Sequence, residues 1–203
     1  EDNYREFSWR HDKTGFKVLV SEILLQQTNA ERVEPVFEEL ISQYSGFEQL
    51  ASADKDAVLS IIKTLGLHYR AELLINISNQ ICEKYGGEIP SSEEDVLNIK
   101  GVGNYIADSI LCHVFDIPKL PIDTNISRVI SRLWGFNYPV NNAKIERMVK
   151  EQAKKFVSVT SHYQKLHYAI LDFAALHCKF YNPICNSCDI RDSCHYYNTS
   201  DKS

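Results

Sequence analysis

LNIKGVGNYIADSILCHVFDIPKLPIDTNISRVISR, residues Leu97 to Arg132, decides how the rest of the chain is read. Leu97 to Ile99 is a short apolar turn able to close one helix. In Gly101-Val102-Gly103, two glycines free the backbone for a tight reversal with exposed N–H groups. Ile106, Ala107, Ile110, Leu111 and Val114 then recur along one side of a second helix. Pro118 and Pro121 predict its end, because neither can continue a helix or donate a backbone bond. Asp123 sits at the mouth of a third helix, predicted over 125–133. Helix, glycine hairpin, helix is a device for holding a phosphate. Unpaired N–H groups at the second helix's start point outward, and the helix dipole adds partial positive charge there. Such a contact positions a protein on a nucleic-acid backbone and reads no sequence.

Composition bounds the alternatives. The 203 residues, 44% apolar with sparse Gly and Pro, can bury a core as one domain or two lobes and do not resemble a disordered chain. No run of about 18 apolar residues occurs, and no basic-then-apolar leader precedes the fold. A cytoplasmic protein with no membrane contact is expected. The net charge of −5 suits a generic acidic protein better than a nucleic-acid binder, whose usual footprint is basic. The two halves differ. Residues 1–98 hold nine Lys and Arg against 18 Asp and Glu, whereas residues 99–203 hold 13 against nine. The hairpin lies in the positive half.

Working outward, residues 7–17 read as a polar lead-in with one aromatic anchor, Trp9. Phe16 to Gln27 (FKVLVSEILLQQ) predicts a buried helix whose only acid is Glu22. A carboxylate among Val18, Leu19, Ile23 and Leu25 carries a desolvation cost unless it is paired or faces solvent. Thr28-x-x-Glu31 reads as a capping box for a helix to about Tyr44. Short helices follow near 47–51 and 54–64, then a break at 65–69 and a helix over 70–85 ended by Gly86-Gly87. Ser92-x-x-Asp95 caps the turn into the hairpin. Beyond it, a basic helix is predicted over 144–156 (Lys144, Arg147, Lys150, Lys154, Lys155) and an amphipathic one over 163–177. No strand pattern intervenes, so the chain reads as all-α.

Four of six cysteines close the chain as Cys178-x6-Cys185-x2-Cys188-x5-Cys194. This is a metal loop in a reducing compartment, and its spacing admits tetrahedral zinc or an iron–sulfur cluster alike. Cys82 and Cys112 lie inside helices and read as inert core thiols.

The hairpin, with Tyr105 two residues on and IDTN (Ile122 to Asn125) around the position eighteen past that tyrosine, resembles the helix-hairpin-helix DNA glycosylases. This is the superfamily of endonuclease III and the mismatch-specific base-excision enzymes. The resemblance implies a two-lobed all-α fold with the active site in the cleft between the lobes. A six-helix barrel lobe would span 17–121, and a second lobe, built from 1–16 and 122–203, would carry the cysteine loop. Asp123 matches the family's essential aspartate, which could also be only the N-cap of the next helix. Asn125 matches an asparagine that orients it. Glu22 with Gln26-Gln27-Thr28 matches the SE-x-x-LQQT pattern of the adenine-removing members. Tyr105 stands where bifunctional members carry a lysine, and a phenol cannot form the imine needed for strand cleavage.

On the DNA side, the resemblance makes Leu67, beside His68, a wedge filling the gap left by a flipped base, with Gln27 approaching from the other side. Read without it, Leu67 is core and Gln27 a solvated helix end. Lys100, Gly101, Val102 and Gly103 would grip phosphate, with a monovalent cation at the hairpin, and Lys179 would reach DNA from the cysteine loop. The cysteine spacing is that of the endonuclease III group, which implies a 4Fe-4S cluster. The implied partner is double-stranded DNA with a mismatched or damaged base, met by a monomer at a prokaryotic nucleoid. The LQQT turn points to adenine opposite guanine or 8-oxoguanine. The absence of a GLGYY-like wedge and the tail LDFAALHC…CHYY favour thymine or uracil opposite guanine, the preferred reading. A non-catalytic DNA-binding iron–sulfur module is the reading from another class; the joint presence of Glu22, Tyr105 and Asp123 argues against it.

Overall fold

The computed structural model describes residues 4–199, which form helices and connecting turns with no strand among them. No helix of the described residues is long and apolar enough to cross a membrane. The chain divides into two compact units, one of Glu6–Ile117 and one running from Pro118 together with Tyr4 and Arg5.

In the first unit, α1 (Gly15–Leu25) starts at Thr14, whose side chain accepts from the Lys17 N–H at 3.3 Å. Every residue from Val18 to Leu24 is buried, as befits a helix that is apolar nearly all round. Leu19, Ile23 and Leu24 have no exposed surface; each such side chain contributes about 1.5–3 kcal/mol by leaving water. Against α1 pack α2 (Ala30–Gln43), α5 (Tyr69–Tyr85) and α7 (Asn104–His113). The short α3 (Phe47–Ala51) and α4 (Lys55–Ile62) lie on α5, and α6 (Glu93–Leu97) on α7. The expected six-helix lobe thus holds seven α-helices among its described residues, α3 and α6 being five-residue pieces.

Its start also differs from expectation. Residues 6–16 belong to the first unit. The lead-in is not merely polar: Phe7 and Trp9 are buried and stack at 4.7 Å, and Trp9 meets Phe37 of α2 edge-on at 5.5 Å. Aromatic area of that size pulls the segment onto the nearest core. The outer parts of the expected second lobe, residues 1–3 and 200–203, lie outside the described residues.

Three element ends are corrected. The first helix stops at Leu25, with Gln26 and Gln27 beyond it. Asn29, not Thr28, caps α2: its side chain accepts from the Glu31 N–H at 2.9 Å. Neither proline terminates α7, which ends at His113; the chain turns through Asp116 at φ 52°, and the Ile117 N–H donates to the Leu111 carbonyl at 2.9 Å.

The second unit holds α8 (Thr124–Trp134), α9 (Ala143–Ser158), α10 (Tyr163–Leu176) and the terminal turn α11 (His195–Thr199). Leu120, Ile126, Ile130, Ile145, Val149, Ala153 and Val157 make its core, and α8 packs on α9, α10 and α11. The basic side chains of α9 are exposed, with Lys150 paired to Glu146 at 2.6 Å.

Candidate active site and cysteine loop

Asp123 is the N-cap of α8, but capping occupies only one of its oxygens. Oδ1 accepts from the Ile126 N–H at 2.7 Å, while Oδ2 accepts from Asn125 Nδ2, also at 2.7 Å. Asn125 is oriented in turn by Arg128, whose Nη1 donates to Asn125 Oδ1 at 3.0 Å. Arg128 is buried and spends its other donors on the Cys178 carbonyl (2.9 Å) and the Ala174 carbonyl (3.1 Å). Burial pushes the Asp123 pKa above the usual carboxylate range; the Ile126 and Asn125 hydrogen bonds and the Arg128 charge oppose that shift. The acid expected from sequence therefore sits in a network whose arginine the sequence reading missed. Its signal was there: Asn125, Arg128 and Arg132 fall on one helix face at steps of three and four.

In the first unit, Glu22 is buried at 7% exposure in α1, which excludes a solvent-facing role. Tyr105 is half-buried against the same core on α7, the helix packed on α1. The hairpin between α6 and α7 is fixed from outside. The Gln80 side chain exchanges two hydrogen bonds with the Lys100 backbone, at 2.9 and 3.1 Å. Gly101 has φ 101°, and a Cβ there would lie 2.6 Å from Leu73 Cδ1. No side chain caps α7 at Gly103. Val102 is buried, whereas Lys100, Gly101 and Gly103 are exposed.

Leu67 and Gln27 share an unusual property. Neither is buried, and both are left-handed, at φ 51° and 53°. Leu67 is therefore not core, and Gln27 is not an ordinary helix end. A non-glycine residue held there stores about 1–3 kcal/mol. His68 is exposed at the start of α5. Arg70, wholly buried and also missed in the sequence, is hydrogen-bonded to both turns.

All four C-terminal cysteines are free thiols around one cavity in the second unit. Its other walls include Val129, Leu133, Phe173, Pro183 and Ile190. Burial and the neighbouring Cys178, Cys194 and Cys188 push the Cys185 thiol up. Arg132 binds the loop's start: its guanidinium donates to the Lys179 carbonyl at 2.6 Å, the Phe180 carbonyl at 2.9 Å and Cys178 Sγ at 3.4 Å. Lys179 itself is exposed. Among the described residues, no three His, Cys, Asp or Glu side chains converge as ligands of a single ion. Cys112, by contrast, is buried in the first unit, its thiol pushed up to about 12 chiefly by burial, and Cys82 is half-buried and also raised.

The first unit thus holds a hairpin seated on α5, and the second a half-buried aspartate at the mouth of α8. The model of the HhH-GPD superfamily of base excision DNA repair proteins matches residues 20–158. The chain belongs to that superfamily. Over 96% of its length this HhH-GPD protein is 33% identical to the thymine-DNA glycosylase of Aeropyrum pernix, covering 88% of that protein. It is 30% identical to the thymine/uracil-DNA glycosylase of Methanothermobacter thermautotrophicus over 95% of this chain and 87% of that one. Among solved structures, a thermostable thymine-DNA glycosylase matches with a TM-score of 0.87 and 30% identity, over 96% of this chain and 89% of that one.

Proposed function

We propose that this protein is a monofunctional DNA glycosylase of base excision repair, hydrolysing the N-glycosidic bond of thymine or uracil opposite guanine. The observation that carries the reading is Asp123, a half-buried carboxylate held at both oxygens. Cleaving a glycosidic bond builds positive charge on the sugar, and a fixed anion in a low-dielectric site stabilises it or activates water. The Asn125 amide keeps Asp123 aimed, and Arg128 keeps Asn125 aimed. Glu22 and Tyr105 are proposed to meet the base. With a phenol at position 105, no Schiff base forms and the abasic strand stays intact.

The substrate is double-stranded DNA, gripped through phosphate by the N–H groups from Gly101 to Gly103, with Lys100 beside them and a monovalent cation at the hairpin. The target nucleotide leaves the stack. Leu67 and Gln27, flanked by His68, take its place. Four thiols around a largely apolar cavity suit a 4Fe-4S cluster, which takes four cysteine thiolates as its ligands. Cys178, Cys185, Cys188 and Cys194 would hold the cluster, whose irons would tie the four thiolates together, shape the loop and present Lys179. Cytoplasmic action at a prokaryotic nucleoid belongs to the same proposal.

The test is a panel of duplexes carrying G:T, G:U, G:A or 8-oxoG:A, scored for strand breaks with and without alkali. Breaks at G:T and G:U that need alkali are expected. Asp123→Asn should lose roughly a hundredfold or more in rate while still binding duplex. An asparagine variant that cleaves normally would refute the catalytic assignment, and cleavage of adenine alone would replace the substrate.

A further inference from the structure

Arg70 touches the left-handed turns at both Gln27 and Leu67. Its backbone N–H donates to the Leu67 carbonyl at 3.0 Å. Its guanidinium donates to the Leu24 carbonyl at 3.0 Å, to the Gln26 carbonyl and to Thr28 Oγ1 at 2.9 Å. Gln26 and Thr28 are the two neighbours of Gln27, so one residue holds Leu67 by its main chain and brackets Gln27 by its side chain. A second arginine reinforces the tie: Arg32, in the first turn of α2, donates to the Thr64 carbonyl at 2.7 Å, three residues before Leu67. Only a guanidinium offers a planar fork with enough donors to serve several acceptors at once.

We infer that Arg70 is a positioning residue that couples the Gln27 and Leu67 turns into one two-sided probe, so that the two side chains enter DNA in a fixed mutual arrangement. The inference rests on the proposed reading of those side chains as the groups that replace an extruded nucleotide. The competing account is local. The last carbonyls of α1 lack intrahelical partners, and an arginine there is a favourable cap with no further consequence. The two accounts differ in one respect. A cap acts on α1 whatever stands at positions 27 and 67, whereas a coupler acts only through those side chains.

The experiment compares the full chain with Arg70→Met, Thr28→Val, the double variant Gln27→Ala/Leu67→Ala, and that double variant carrying Arg70→Met. Base extrusion is read by 2-aminopurine emission beside the mispair in a G:T duplex, excision by single-turnover rate, and local order by amide hydrogen exchange. Arg70→Met should speed exchange at 25–28 and 66–70 together while 104–113 stays protected. It should lower emission and excision roughly ten- to a hundredfold, the scale of a small misplacement. In the background lacking both side chains it should add no further loss. Thr28→Val, which removes one acceptor of Arg70 together with the hydroxyl's own bond to the Gln26 carbonyl, should give a smaller loss of the same kind and decides the matter if Arg70→Met does not fold. An equal loss in the double background, or faster exchange in one segment only, would overturn the coupling and leave a cap. If the double variant itself extrudes and excises like the wild type, the reading of Gln27 and Leu67 falls and takes this inference with it.

Discussion

Asp123 is poised between opposing influences. Burial penalises its charge, while the Ile126 amide, Asn125 and the Arg128 charge favour the ionised form. The proposed chemistry needs the carboxylate, so activity should be lost as pH falls through the Asp123 pKa. Replacing Asn125 with alanine deletes a hydrogen bond that only the ionised form profits from, which raises that pKa further. The acid limb of the kcat/KM profile of Asn125→Ala is therefore expected at higher pH than in the wild type, with the rate partly recovered in alkali. A limb that does not move, or moves down, would mean that Asn125 does not act through Asp123. At this scale the sequence named Asp123 and Asn125 but not Arg128. A buried arginine in a helix looks like any exposed one until the carbonyls of Ala174 and Cys178 are seen beside it.

Among elements, the hairpin was the most legible, because its signal is chemical. Two glycines bracket a turn, Ser92 caps the helix before it through the Asp95 N–H at 3.0 Å, and an apolar stripe follows. What fixes the hairpin to α5 was not legible. Gln80 is an ordinary polar residue in a long helix until its amide pairs with the Lys100 backbone. Gly101→Ala would place a methyl carbon 2.6 Å from Leu73 at a φ of 101°. The strain and the clash should together cost about 1–3 kcal/mol. If the proposed contact is with phosphate, matched and mismatched duplexes should both bind more weakly and by the same factor, as measured by titration of labelled DNA. A loss confined to mismatched duplexes would put the hairpin in base recognition instead. The chain leaves α1 two residues earlier than its apolar pattern suggests, and there the Arg70 guanidinium takes up the Leu24 carbonyl and Thr28 Oγ1, partners that no local pattern announces.

At the scale of the molecule, all four cysteines and Asp123 belong to the unit that starts at Pro118, whereas the hairpin belongs to the other. Release of the proposed cluster should therefore act unevenly. Protein purified without oxygen is expected to be brown, and oxidation with a chelator should bleach it and open 178–194 to proteolysis while 15–113 stays intact. A colourless protein carrying one zinc would refute the cluster, and uniform unfolding would refute its confinement to one unit. The division itself moved from expectation, since Phe7 and Trp9 draw 6–16 into the first unit, a fact about which core lies within reach. The sequence by itself determined the helical class, the glycine hairpin, the candidate acid and the four-thiol loop. Each of these is written in local spacing and in the chemistry of individual side chains. Tertiary structure alone decided which polar residues are buried, which backbone turns are held left-handed, and how Arg70, Arg128 and Arg132 distribute their donors. Those outcomes depend on carbonyls brought close by packing between segments far apart in the chain, and no local pattern encodes them.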